Sequence, residues 1–240
     1  MKAIITFHSI DDRGSVLSFP PATFAKMITE MLNDGITICS LDQLLSPAID
    51  NAIAITFDDG MRSVYQNALP VLKDANVPSL LYLTTGYVGG KNNWPTQPAG
   101  APSFEMMNWQ EIEACAEAGM QIESHTVSHP NLCQLNPEQI EEECESADLR
   151  IEKQFGRRPR HFAYPYGIYD ATVAEVVSQK YQTCVTTTLL PLETKFKTAE
   201  LPRLDSYYLQ NRQTYSRFFS PAASGYLRLR HWLRVVRGLF

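Results

Sequence analysis

Asp58 and Asp59 end the apolar run Ala52-Ile-Ala-Ile-Thr-Phe-Asp-Asp-Gly60, and His125 and His129, four positions apart, follow a second short apolar run. Adjacent carboxylates at the end of a buried strand repel each other and lose hydration, so they need a cation or strong donors nearby. One carboxylate and two imidazoles form an N, N, O ligand set that leaves a position open for water, as catalytic metal centres do. Asp59, His125 and His129 are the candidate ligands, which leaves Asp58 free to act as base on that water. Consecutive strand residues point to opposite faces, which suits one base and one ligand. Pro130 disfavours helix at His129, so the two imidazoles must converge across a loop or a single turn. The chemistry is metal-assisted hydrolysis.

The elements that must position these groups read as βα units with a mainly parallel sheet. Short β-branched runs predict strands at 3–7, 36–39, 52–57, 79–84, 121–124, 161–163 and 183–186. Helices lie between them. Asn108 caps one, with Glu111 three residues on and Gly119 at its end. Asn136, Pro137 and Glu138 open a second that runs to about Gly156, and Asp170 caps a third over 171–180. The Gly-, Pro- and Asn-rich stretch 85–104 is too long for a mere connection and reads as a surface loop shaping a binding groove. His8, the Asp58–Asp59 pair, His125 and the segment Tyr164-Pro-Tyr-Gly167 each follow a predicted strand. In parallel α/β folds, function collects at those carboxyl ends.

Three segments carry a family resemblance. Thr56-Phe-Asp-Asp-Gly60, Ser124-His-Thr-Val-Ser-His-Pro-Asn-Leu132 and Phe162-Ala-Tyr-Pro-Tyr-Gly167 resemble, in order, the first three motifs of the polysaccharide deacetylases, carbohydrate esterase family 4. The resemblance implies the NodB homology fold, a distorted (β/α)7 TIM-like barrel of the α/β class. It implies hydrolysis of N-acetyl, sometimes O-acetyl, groups on sugars, with an acetylated glycan or glycolipid as substrate. It gives Asp58 the role of general base, and it gives Asp59, His125 and His129 a divalent metal. Zinc suits that ligand set, and cobalt, nickel or iron fit it too. Tyr166, with Pro165 and Tyr164, is expected at the oxyanion and substrate side, through the Tyr166 backbone N–H.

The chain departs from the family pattern in three places. Ala163 stands where the third motif usually carries an arginine that orients the base; Arg203, in Leu201-Pro-Arg-Leu204 near the end of a late strand, can supply the guanidinium instead. The late Leu-x-His motif, whose histidine acts as general acid, is missing, and His231 lies in a helical segment. The opening Ile4-Ile-Thr-Phe-His8-Ser-Ile10 resembles a poly-N-acetylglucosamine deacetylase subgroup in which the acid-bearing strand comes first, so His8 is the expected acid. For the family's pocket motif, Asp205, Tyr207 and Tyr208 are the nearest candidates. An O-acetyl ester or cyclic-amide hydrolase on the same barrel, and a catalytically silent carbohydrate-binding barrel, remain the alternatives.

Bulk properties bound the rest. At 240 residues, 20% charged and net −5, the chain suits one α/β domain and argues against a nucleic-acid binder. Cys39, Cys115, Cys133, Cys144 and Cys184 are odd in number and form no C-x-x-C pair, which predicts reduced packing residues. The first residues read as a strand rather than a signal peptide, so the expected location is cytoplasmic. The barrel is expected over 1–225 and a basic amphipathic helix over 226–240. On that helix Leu229, Trp232, Leu233, Val236 and Phe240 share one face and Arg230, Arg234 and Arg237 another. Such a helix either packs on the barrel or lies at the inner face of a membrane.

Overall fold

The computed structural model describes residues 1–210, residue 215 and residues 221–236. Among the described residues eight strands alternate with helices: β1 (Lys2–Phe7), β2 (Thr37–Ile38), β3 (Ala52–Asp59), β4 (Ser79–Leu83), β5 (Met120–Ser124), β6 (His161–Ala163), β7 (Thr183–Val185) and β8 (Leu204–Asp205). The ladders are parallel, in the order β7-β6-β5-β4-β3-β1-β8. Short β2 flanks the start of β3, and β4 takes over that edge from Thr56 onward. Residues just before β8 draw the two ends of the sheet together. The Leu201 N–H donates to the Cys184 carbonyl at 2.8 Å, and the Thr186 N–H donates to the Leu201 carbonyl at 2.9 Å. Seven staves therefore curl into a distorted barrel, with β1 seated between β3 and β8.

Strand alternation sorts the core. Ala3, Ile5 and Phe7 of β1 and Ile53, Ile55 and Phe57 of β3 pack outward in one apolar cluster with helix α1 (Pro21–Asn33). That helix buries Phe24, Met27, Ile28 and Met31, the one-face spacing of an amphipathic helix. Ile4, Ala52 and Ala54 pack inward with Leu80, Tyr82, Ala163 and Val185. Continuing that inward parity along the strands brings Thr6 and Thr56, and then His8 and Asp58, to the barrel mouth.

The remaining helices follow their caps: α2 (Leu41–Leu45), α3 (Leu69–Asp74), α4 (Trp109–Glu117), α5 (Pro137–Phe155), α6 (Ala171–Ser178) and α7 (Pro221–Val236). Asn108 and Glu111 form a reciprocal capping box on α4, as Asn136 and Gln139 do on α5. Gly156 ends α5 in the left-handed region at φ 69°, and Asp170 caps α6 through the Val173 N–H. The C-terminal helix starts at Pro221, ahead of the expected boundary at 226. Arg237 and Phe240, and the side chain of Arg234, lie outside the described residues.

Candidate active site

Asp58 and Asp59 diverge because the backbone turns between them. Asp58 ends the inward row of β3, paired in register with Tyr82. Asp59 has φ 70° and Gly60 φ 102°, so the strand leaves its extended path at the second carboxylate. A Cβ on Gly60 would also lie 2.7 Å from Leu83 Cδ1. The left-handed pair, rather than strand alternation alone, aims Asp59 at the histidines.

Asp58 is fully engaged. Arg203 donates from Nη1 to Oδ1 and from Nη2 to Oδ2, both at 2.7 Å. The guanidinium also donates to the Thr186 carbonyl and Thr6 Oγ1, both at 3.0 Å, and lies 5.6 Å from the centre of the Tyr82 ring. Arg203 is 1% exposed. Burial would raise the Asp58 carboxyl, but the charge and hydrogen bonds of Arg203 hold it well below the usual carboxylate range. His8 Nε2 stands 3.9 Å from Asp58 Oδ2, on the solvent side, with its side chain 25% exposed.

Asp59 faces the other pair. Its Oδ1 lies 3.6 Å from His125 Nε2 and 3.5 Å from His129 Nε2, and the three atoms fall within 4.8 Å of one another. That buried oxygen has no hydrogen-bond partner. Ligand atoms about 2.0–2.2 Å from a common tetrahedral centre stand roughly 3.3–3.6 Å apart, and both carboxylate–imidazole distances match that spacing. His125 Nδ1 is 2.7 Å from the Ala163 carbonyl, which as a donor leaves the Nε2 lone pair pointing into the cluster. Burial lowers both imidazoles, favouring the neutral, ligating form. The residues fit a divalent transition metal.

The turn between the histidines is held from three sides. Thr126 and His129 are left-handed, at φ 67° and 54°, and the His129 N–H donates to Thr126 Oγ1 at 3.1 Å. Glu143, on α5, accepts from the Val127 N–H at 3.0 Å, the Ser128 N–H at 2.9 Å and the Ser128 hydroxyl at 2.6 Å. Gly86 donates to the Val127 carbonyl, and a Cβ there would meet that oxygen at 2.5 Å, so only glycine allows this approach.

His129 is boxed by aromatic rings. Trp94 and Tyr166 each lie 4.4 Å from it, centre to centre. A directed chain fixes them: Trp94 Nε1 donates to Tyr166 Oη, Tyr166 to Thr96 Oγ1, and Thr96 to the His129 carbonyl at 2.8 Å. Tyr166 takes φ 59° to present its ring this way. Tyr164 lines the same cavity, but its hydroxyl turns away to the Ala199 carbonyl at 3.0 Å, and Pro165 is buried in the turn.

A cavity of about 390 Å³ opens over these groups, lined by His8, Leu17, Trp94, Pro98 and Ala101 above Asp58 and Asp59. The stretch 85–104 thus supplies one wall. Asp205, Tyr207 and Tyr208 do not line it: Asp205 caps its own turn through the Tyr207 N–H, and Arg230 stacks over Tyr208. Glu143, Trp94 and Thr96 escaped the sequence reading. Glu143 is one of several acids on α5 and carries no distinguishing signal; the lone Trp of a Gly- and Pro-rich loop was the one visible hint.

Comparison with known proteins sets this geometry in a family. The chain is 27% identical over 192 residues to the YxkH protein of Bacillus subtilis (strain 168), covering 77% of this chain and 63% of that protein. It is 25% identical over 137 residues to a poly-β-1,6-N-acetyl-D-glucosamine N-deacetylase of Staphylococcus aureus (strain MRSA252), covering 53% of this chain and 44% of that one. The chain therefore spans less than two thirds of the length of either relative. Its fold matches IcaB from Ammonifex degensii with a TM-score of 0.75, over 92% of this chain and 97% of that one at 21% identity. It also matches the Streptococcus pyogenes deacetylase PplD, determined in complex with acetate, with a TM-score of 0.72 over 85% and 91% at 22% identity. The sequence model of the polysaccharide deacetylases matches residues 46–185, more than half of the chain, which belongs to that family.

Proposed function

We propose that the protein is a metal-dependent deacetylase that hydrolyses N-acetyl groups of an N-acetylhexosamine-containing polysaccharide, oligosaccharide or lipid-linked sugar. One observation carries the reading: the two neighbouring carboxylates are divided between two tasks. Asp59 faces His125 and His129, while Asp58 is tied to Arg203 and stays outside the ligand cluster. A binding barrel has no need of that division.

Asp59, His125 and His129 would hold the metal, zinc being the best match to the donor set. When bound, it would make a water acidic and polarise the acetyl carbonyl. Asp58 takes the proton from the attacking water. Arg203 keeps that carboxylate ionised and fixes its orientation, replacing the arginine that Ala163 lacks. The Tyr166 N–H donates to the developing oxyanion. His8, across the mouth from Asp58, gives a proton to the leaving nitrogen, because an amine departs poorly until protonated. Trp94, Leu17 and Pro98 offer apolar walls against which a sugar ring and its acetyl methyl can pack.

Acetate release from β-linked N-acetylglucosamine oligomers, measured beside acetyl-xylan, tests the reading. The protein should release acetate from the oligomers only when metal is supplied, and Asp58→Asn should abolish it. Metal-independent release, preference for acetyl-xylan, or tight oligomer binding without turnover would each refute it.

A further inference from the structure

The C-terminal helix α7 presents its apolar stripe to solvent instead of to the barrel. Leu227 is 1% exposed and packs into the core, whereas Leu229, Trp232 and Val236 are 54%, 58% and 62% exposed. At 100° per residue these three fall on the side of the helix opposite Leu227. Tyr226, 41% exposed, borders them. The other exposed large hydrophobics among the described residues, Val16, Leu32, Leu149 and Tyr207, sit outside α7 on separate segments.

Charge narrows what can cover this stripe. Residues 206–240 hold six arginines and no acidic residue, while the preceding 205 residues hold all 26 Asp and Glu. Arg228 is exposed beside the stripe, and Arg230 lies on its other flank with its guanidinium 4.7 Å from the Tyr208 ring. Two copies meeting stripe to stripe would bring these arginines together, which opposes self-association through this face. An anionic lipid surface satisfies both features, because acyl chains take up Leu, Val and Trp while phosphates pair with arginine. No helix among the described residues is long and apolar enough to cross a membrane, so the contact is interfacial.

We infer that α7 docks the protein onto anionic membranes through Leu229, Trp232 and Val236, with Arg228 at the phosphate level. The inference does not depend on the deacetylase reading, since none of these side chains lines the cavity over Asp58 and Asp59.

Co-sedimentation of the full chain with phosphatidylcholine vesicles, with and without phosphatidylglycerol, tests it. The chain should bind the anionic vesicles about tenfold better. Leu229→Ser with Trp232→Ser should lose that binding while the circular dichroism spectrum is unchanged, and Arg228→Glu should weaken it. Equal binding to both vesicle types, or none to either, overturns the inference. So does a concentration-dependent dimer in light scattering that the double variant dissolves, which would make the stripe a self-interface.

Discussion

Arg203 grips Asp58 through two parallel hydrogen bonds of 2.7 Å across a sequence separation of 145 residues. The grip works because β8, which follows Arg203, pairs with β1, next to β3, the strand that carries Asp58. The arginine reaches the Asp58 carboxylate from inside the barrel, where Thr6, Thr186 and the Tyr82 ring fix its plane.

Removing that arginine leaves a buried carboxylate without its counter-ion. Arg203→Ala should cost about 3–5 kcal/mol of stability in denaturant melts and lower turnover by roughly a hundredfold or more. Arg203→Lys restores charge without the two-pronged geometry, so stability should recover more than turnover. Unchanged turnover in Arg203→Ala would remove its orienting role.

The role given to His8 depends on the leaving group. His8→Ala should retain metal and lose about 10²–10⁴-fold in amide hydrolysis. Its loss on 4-nitrophenyl acetate, whose phenolate departs unprotonated, should be much smaller. Equal losses on both substrates would contradict proton donation.

Glu143 touches neither His125 nor His129 directly, yet it accepts three hydrogen bonds from the turn that joins these candidate ligands. Glu143→Gln should weaken metal affinity about tenfold in chelator competition, with turnover near normal at saturating metal. Unaltered affinity would mean that Thr126 and Gly86 hold the turn alone.

Asp148, buried behind Ser124 and Tyr181, makes stability depend on pH. Burial raises its carboxyl to about 6, although hydrogen bonds from Tyr181 and Ser124 oppose the rise. Unfolded, it loses its proton near pH 3.9. Between about pH 4 and 6 the folded state therefore binds more protons, and stability falls as pH rises, by about 3 kcal/mol in all. Asp148→Asn should lack this fall, so its advantage over the wild type should grow to about pH 6 and then stay level. Parallel curves from pH 4 to 8 would contradict the burial effect.

The strand cores, the capped helices and the wall over 85–104 were legible because apolar spacing and cap chemistry are local signals. The candidate ligands and base were legible because buried acids and histidines at strand ends are costly without a purpose. Three things were not. The left-handed turn at Asp59 continues into Gly60, where a Cβ would meet Leu83, a proximity set only in the folded barrel. Glu143 and Thr96 act through backbone groups of a distant loop, which leaves no pattern in either segment. The orientation of α7 was ambiguous, because the same stripe suits a barrel surface or a bilayer; only the burial of Leu227 distinguishes its faces.

Anomalous scattering from metal-soaked crystals tests the central claim most directly. A single ion should lie about 2.0–2.2 Å from Asp59 Oδ1, His125 Nε2 and His129 Nε2, with Asp58 still bonded to Arg203. An ion ligated by Asp58, or bound away from all three side chains, would contradict the account.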